Sequence, residues 1–176
     1  MKNSLLLILV LFTSVSMFSQ KEALEFPESG FKAIFAKVPT IEKNEIETQI
    51  GKAKITQYLS EGSDFMLMLS ESQYPDNLLK TEVETVYKGM INGATNAVVE
   101  NISKQMKTEY KSTLSEDFKF DDKYPGKKFE GILDEVNLKG MTFIKGFQMY
   151  QIIIIGNTNA VAVNEFLNSF TLIESK

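Results

Sequence analysis

The sequence contains no histidine and no cysteine. Their absence excludes Ser-His-Asp and Cys-His nucleophile pairs, a histidine general base, and zinc sites built on thiolate or imidazole ligands. The ten glycines include no Gly-x-Gly pair, so the chain has no dinucleotide-binding or Walker-type loop. We therefore expect no cofactor, no metal and no catalytic residue. An enzyme of this composition would have to use carboxylates alone.

Arginine is also absent, because all 19 basic residues are lysines, and the net charge is −4 at pH 7. Such a chain lacks both a basic patch for phosphates and the bidentate fork that reads guanine, so we expect no nucleic-acid partner. An acidic chain is also a poor match for anionic lipid surfaces. Without cysteine it forms no disulfide and has no thiol for lipid attachment.

The N-terminus has the pattern of a secretory leader. An apolar run from Leu5 to Phe12 follows Lys2, and the small residues Ser14 and Ser19 come after it. This pattern predicts a signal peptide over 1–19 and one mature domain over 20–176. The alternative is a membrane anchor, but the run is too short to cross a hydrocarbon core of about 30 Å. We expect a periplasmic or secreted protein with no transmembrane segment in its mature chain.

The four consecutive isoleucines, Ile152 to Ile155, predict the centre of the fold. Successive residues of a strand point to opposite sides, so this segment has apolar side chains on both faces and belongs inside a covered sheet. A helical pattern from Leu78 to Ser103 and a shorter one before Phe170 supply two covering layers. We predict an α+β domain in which a mainly antiparallel sheet of about six to eight strands lies between helices, an α/β/α sandwich.

Gly89, Gly93 and Ala97 form a row of small residues along the long helix. Each glycine costs a helix about 1 kcal/mol relative to alanine, so the row needs a reason. One interpretation is a close approach of the helix backbone to the sheet. The alternative is a small-residue face for a second copy.

Aromatic residues near element boundaries are the predicted partner-binding site. Tyr74 and Tyr124 each precede a proline, and Phe118 and Phe120 lie close to Tyr124 in sequence. Rings and hydroxyl groups in such loops suit contact with a partner. The alternative is that all four residues seal the rim of the core.

The densest acidic segment contains Glu116, Asp117, Asp121 and Asp122. We interpret it as a solvated, turn-like loop, because it lacks the alternating ligands and glycine of a calcium loop. A weak calcium site over Glu116 to Asp122 is the alternative, and a catalytic carboxylate pair is a more remote one.

The order of these signals resembles the PsbP-like proteins, which share a fold with a small Ran-binding factor of nuclear import, and in particular their uncharacterised exported bacterial branch. The resemblance spans nearly the whole mature chain. The matching motifs in chain order are Phe31 to Pro39, the Gly51 hairpin, Ser72 to Pro75, Tyr124 to Phe129, Phe147 to Tyr150 and Phe166 to Phe170. The resemblance implies an antiparallel sheet between helices and a role in protein association without catalysis. It assigns no functional residue.

Three functional hypotheses follow. The first is a non-catalytic exported module that binds another envelope or secreted protein through loops at one end of the sheet. The second is a carrier of a small apolar ligand, held between the long helix and the sheet face of Met66 and Met68. The third is a hydrolase that uses only carboxylates. A deep apolar cavity under Met90 and Ile91 would favour the carrier, and an aromatic patch around Tyr74 and Tyr124 would favour the association module.

Overall fold

The computed structural model describes residues 21–48, 51–75 and 83–173. These residues form ten β-strands, two α-helices and one 3-10 turn. In chain order the elements are β1 (Leu24–Phe26), the 3-10 turn (Pro27–Ser29), β2 (Phe31–Ala33), β3 (Thr40–Thr48), β4 (Gly51–Glu61), β5 (Phe65–Gln73), α1 (Val83–Met106), β6 (Tyr110–Phe120), β7 (Tyr124–Leu133), β8 (Val136–Lys145), β9 (Gln148–Gly156), α2 (Val161–Ser169) and β10 (Thr171–Leu172). The predicted leader and the predicted helix start at Leu78 lie outside the described residues.

Seven strands form one sheet in the order β3-β4-β5-β9-β8-β7-β6, with every neighbouring pair antiparallel. β1, β2 and β10 form a second, three-stranded antiparallel sheet. α1 packs on one face of the large sheet, the α1 face, and α2 packs with the small sheet on the other, the α2 face. The predicted antiparallel sheet between helical layers is confirmed. Neither helix in the described ranges has the length and apolar character needed to cross a membrane.

β9 is the middle strand of the large sheet, between β5 and β8. Ile152 and Ile154 point to the α2 face, where they pack with Phe166 of α2. Ile153 points to the opposite face and packs with Ile102 of α1. Each of these three isoleucines is at most 1% exposed. The isoleucine segment is thus covered on both faces, as its composition predicts.

Aromatic side chains fill much of the α2 face. The rings of Phe31 and Phe170 stack with their centroids 5.5 Å apart, and those of Phe143 and Tyr150 stack at 5.1 Å. Offset ring pairs of this kind add stability beyond the area that they bury. Phe170, which follows α2, also meets Phe143 of β8 edge-on at 6.1 Å, so these rings join α2 and the small sheet to the large one.

α1 lies towards one side of the large sheet, because it packs against β7, β8 and β6. β3 forms one edge of that sheet, and nearly every residue of β3 is exposed. Its charged residues fit an edge strand, since charge there opposes pairing with other chains. The off-centre position of α1 leaves a groove between the helix and the α1 face of β3, β4 and β5.

β6 differs from its prediction. The acidic segment predicts a turn-like loop, but Glu116 and Asp117 lie within β6, opposite Lys128 and Lys127 of β7. As successive residues of a strand they point to opposite faces. Only residues 121–123 turn, with Asp121 in the left-handed region at φ 51°. The strand therefore divides the acidic cluster. In the described part of the chain, no group of three or more acidic residues is placed to hold a metal ion.

The sequence predicts this strand over Lys107 to Ser115 with Tyr110, Ser112 and Leu114 on one side, but a β-bulge lies between Ser112 and Leu114. The extra residue of a bulge shifts the side-chain alternation by one. Tyr110 thus packs on the α1 face, whereas Leu114 lies with Ile152 and Ile154 on the α2 face. The predicted period of two, which places Tyr110 and Leu114 on the same side, is therefore wrong.

The sequence also predicts a two-residue hairpin at Lys145-Gly146 and a cap for the last helix at Gly156-Asn157-Thr158, and both predictions are wrong. Lys145 pairs with Gln148, so the β8–β9 turn consists of Gly146 and Phe147. The N-cap of α2 is Ala160, which makes no side-chain cap. The side chain of Asn157 instead donates a hydrogen bond to Asp64, at 2.8 Å.

Candidate functional site

A groove of about 720 Å³ runs between α1 and the α1 face of the sheet. We call it the α1 groove. One wall is the helix, with Gly89, Met90, Gly93, Ala97 and Val98. Its floor consists of residues from β4, β5 and β9, and Ile46 and Thr48 of β3 close the far side. Its volume is in the range of natural small-molecule sites.

The lining of the α1 groove is uncharged. Charged residues make up 24% of the chain, yet none of the described residues that line the groove is Asp, Glu or Lys. The lining combines apolar side chains such as Met68 and Met149 with neutral polar ones such as Gln57 and Gln151. A charged ligand would lose its hydration here without gaining an opposite charge. The groove therefore suits a neutral molecule.

The two helix glycines face this open space. An added Cβ at Gly89 or Gly93 would meet no atom within 4 Å, so the expected close approach of helix and sheet at these positions is wrong. Since each glycine costs the helix about 1 kcal/mol, packing gives no reason to keep them. Their effect is to widen the α1 groove.

Polar residues form a row across the floor of the groove. Gln57 of β4 lies opposite Ser70 of β5, Ser70 opposite Gln151 of β9, and Gln151 opposite Thr142 of β8. Residues directly opposite each other in a sheet share a face. This row, which we call the polar row, crosses four strands. Its signal in the sequence is weak, because it consists of single neutral polar residues within four separate strands.

The polar row also connects the sheet to α1. Gln151 Nε2 donates to the backbone carbonyl of Ala94 at 2.9 Å and to Thr142 Oγ1 at 3.3 Å. Thr95 Oγ1 donates to Thr142 Oγ1 at 3.2 Å. These contacts hold α1 at a fixed height above β8 and β9, and that height sets the width of the groove.

The predicted aromatic site is divided between the two faces. Phe118, Phe120 and Tyr124 pack against the core of the α2 face, whereas Tyr74 packs with Met90 on the α1 face and lines the groove. All four belong to the same end of the sheet, but they form no common patch. Burial raises the pKa of the Tyr74 hydroxyl group.

The three aromatic residues on the α2 face contribute to packing. Phe120 stacks on Phe143 with ring centroids 4.2 Å apart and 5° between the planes. The ammonium groups of Lys123 and Lys128 lie 5.1 Å and 4.8 Å from the rings of Tyr124 and Phe118, within cation–π distance. These contacts agree with the alternative in which the residues seal the rim of the core.

A buried carboxyl group, which the sequence does not reveal, lies on the α2 face. Glu71 of β5 is 5% exposed and accepts hydrogen bonds from Gln148 Nε2 at 3.2 Å and Ser29 Oγ at 3.4 Å. Tyr58 and Tyr150 donate to the hydroxyl and carbonyl oxygens of Ser29 at 2.8 Å and 2.9 Å. Burial raises the pKa of Glu71, and the hydrogen bonds from Gln148 and Ser29 offset part of that rise.

All hydrogen-bond partners of Glu71 in the described ranges are uncharged. The third hypothesis needs two carboxyl groups that face each other across a cleft, and Glu71 does not provide such a pair. Its hydrogen bonds instead tie the 3-10 turn to the large sheet, so we interpret this network as structural.

Comparison with known proteins gives no relative that would assign a role to either face. No family model matches the chain, and no curated protein matches it. The kinship with the PsbP-like proteins therefore stays a prediction from the order of motifs.

Proposed function

We propose that this protein is a non-catalytic exported binding protein that holds a small, uncharged, largely apolar molecule in the α1 groove. The observation that carries the proposal is the groove itself, which is uncharged along its described lining and is widened by two glycines that packing does not require. Natural ligand sites have this character: mostly apolar, with a few neutral polar groups.

This proposal places the carrier hypothesis ahead of protein association through aromatic loops. Of the four aromatic residues, three are partly buried against the core of the α2 face and the fourth lines the groove. Of the residues that the carrier hypothesis names, Met68 and Met90 line the groove, whereas Met66 and Ile91 do not. The carrier hypothesis expects a deep cavity, whereas this site is an open groove, so its ligand would stay partly accessible to solvent. The signal-peptide pattern supports export.

A pair of fluorescent probes tests the proposal. N-phenyl-1-naphthylamine is uncharged and fluoresces in apolar surroundings, and 8-anilinonaphthalene-1-sulfonate has the same ring system with an added negative charge. We expect the mature protein to bind the uncharged probe at least tenfold more tightly, because the groove offers the sulfonate no opposite charge. Equal binding of both probes, or binding of neither, would contradict the proposal.

Two leucine variants locate the binding site. Gly93→Leu puts a side chain into the groove where there is free space, and leucine is a good helix former, so the fold should be retained. Asn96→Leu is the matched control, because Asn96 is an exposed residue of α1 outside the groove lining. We expect Gly93→Leu to abolish binding of the uncharged probe and Asn96→Leu to leave it unchanged. If Asn96→Leu abolished binding and Gly93→Leu did not, the probe would bind outside the α1 groove.

A further inference from the structure

We infer that the ligand of the α1 groove carries an uncharged hydrogen-bond donor part-way along an apolar body, and that Gln57 and Gln151 select it. This inference rests on the proposed function. It goes further because it names a chemical class, a neutral molecule with an internal hydroxyl or amide group, and two residues that set specificity.

The position of the polar row supports an internal donor. Neighbouring rows on one face of a sheet lie about 7 Å apart, two residues along each strand. On one side of the polar row the floor contains Ile55 and Met149, which flank the small Ser72. On the other side it contains Met68, with Val98 above it on α1. The polar row thus divides the groove into two mainly apolar halves.

Two acceptor atoms of the polar row, the side-chain amide oxygens of its glutamines, are free. Gln57 Nε2 contacts Ser70 Oγ at 3.4 Å and Met68 Sδ at 4.0 Å. Gln151 Nε2 donates hydrogen bonds to the Ala94 carbonyl and to Thr142 Oγ1. In the described parts of the chain, neither Gln57 Oε1 nor Gln151 Oε1 accepts a hydrogen bond. No buried side-chain oxygen of these parts lacks a partner, so the two Oε1 atoms are open to solvent in the groove.

The two acceptors create a penalty against ligands without a donor. A fully apolar ligand would displace water from both Oε1 atoms and return no hydrogen bond, which opposes binding. A ligand with a hydroxyl group beside the polar row would donate a hydrogen bond in place of the one lost with that water. Sites built around a polar group of their ligand discriminate strongly against analogues that lack it. A terminal hydroxyl group would lie in an apolar half and give less benefit.

Displacement of the uncharged probe, N-phenyl-1-naphthylamine, by three ten-carbon compounds tests the inference. Decane has no donor, 1-decanol has a terminal hydroxyl group, and 5-decanol has an internal one. We expect 5-decanol to displace the probe about tenfold more effectively than decane, with 1-decanol between them. If the probe binds but the three compounds displace it equally, or 1-decanol displaces it best, the inference is wrong and the proposed function stands. If the probe does not bind, both fail.

A matched pair of variants assigns the effect to the polar row. Gln57→Met keeps the length of the side chain and removes the acceptor, so the advantage of 5-decanol over decane should fall several-fold. Gln73→Met is the control, because Gln73 is an exposed glutamine on neighbouring β5 outside the groove lining. Gln73→Met should keep the full advantage of 5-decanol over decane. Thermal unfolding of both variants checks that they fold. An unchanged ratio in folded Gln57→Met would overturn the role of Gln57.

Discussion

Thr95 of α1 and Thr142 of β8 meet in the interface between helix and sheet, with hydroxyl oxygens 3.2 Å apart and exposures of 5% and 0%. Thr142 Oγ1 also accepts from Gln151. The hydroxyl oxygen of Thr142 thus accepts one hydrogen bond from α1 and one from the central strand β9. Both threonines are buried, so the loss of this contact should be measurable.

We expect Thr142→Val to lower the free energy of unfolding by about 1–3 kcal/mol, because Thr95 and Gln151 lose an acceptor inside the protein. The double variant Thr95→Val, Thr142→Val should lose less than the sum of the two single variants, since it removes donor and acceptor together. Urea unfolding of the four proteins measures this coupling. Strict additivity would show that the two hydroxyl groups do not depend on each other.

Alanine at the helix glycines should stabilise the protein. Gly89→Ala and Gly93→Ala should each raise the free energy of unfolding by about 1 kcal/mol, because the helix gains propensity and the new Cβ meets open space. Gly140→Ala in β8 is the contrasting variant, since a Cβ there would overlap the ring of Phe129. It should cost about 1–3 kcal/mol through overpacking. Chemical denaturation compares them, and a loss of stability at Gly93 would mean that α1 lies closer to the sheet than described.

Glu71 should make stability depend on pH. Burial raises the pKa of its carboxyl group in the folded state, while in the unfolded chain it titrates near the ordinary glutamate value of about 4.3. Between these two values the folded state holds a proton that the unfolded state has released. The contribution of Glu71 to stability is therefore complete below the unfolded pKa and is lost as the pH rises through the folded pKa.

Glu71→Gln tests this dependence, because the amide has a similar shape and stays neutral. At neutral pH the variant should be more stable than the natural protein, and its advantage should shrink as the pH falls towards 4. Glu61→Gln, at an exposed position of β4, is the control and should follow the natural protein at every pH. Thermal melts across the acid range provide the measurement. An advantage of Glu71→Gln that is constant with pH would rule out titration of Glu71 as the cause.

Phe120 should matter for stability rather than for partner contact. Its ring stacks on buried Phe143 and meets Phe170 edge-on at 5.6 Å. Full truncation of a buried phenylalanine costs about 3–5 kcal/mol, and since Phe120 is only partly buried we expect Phe120→Ala to cost about 2 kcal/mol. Val161→Ala, at a side chain that is 76% exposed, should change stability by less than about 0.5 kcal/mol. An unchanged melting temperature for Phe120→Ala would restore the partner-binding interpretation.

The central strand and the long helix could be predicted because their patterns depend on local chemistry. The isoleucines of β9 are apolar on both faces, and a segment of that kind is stable only when both faces are covered. The stripe that contains Ile91 and Ile102 predicts α1 in the same way. In both cases the pattern of apolar residues in the sequence indicates which side chains are buried.

A site between α1 and the sheet is one of the sequence-based hypotheses, but the position and width of the groove could not be predicted. The apolar stripe shows which side of α1 is buried, not how many strands lie beneath it. Gly89 and Gly93 form a row in the sequence whether a backbone packs against them or nothing does. The distinction depends on the lateral position of the helix. Tertiary contacts such as that between Gln151 and Ala94 determine that position.

The order of strands has a consequence for how the chain folds. β3, β4 and β5 form one set of neighbours linked by short turns, and β6 to β9 form another. The two sets join along a single seam, where Leu69 of β5 pairs with Ile152 of β9. Within the large sheet every other pair of neighbouring strands is also consecutive in sequence, so among these pairings the long loop between β5 and β9 carries the largest entropic barrier to closure. Until that happens, each set exposes an unpaired apolar strand, which is the state most prone to aggregate.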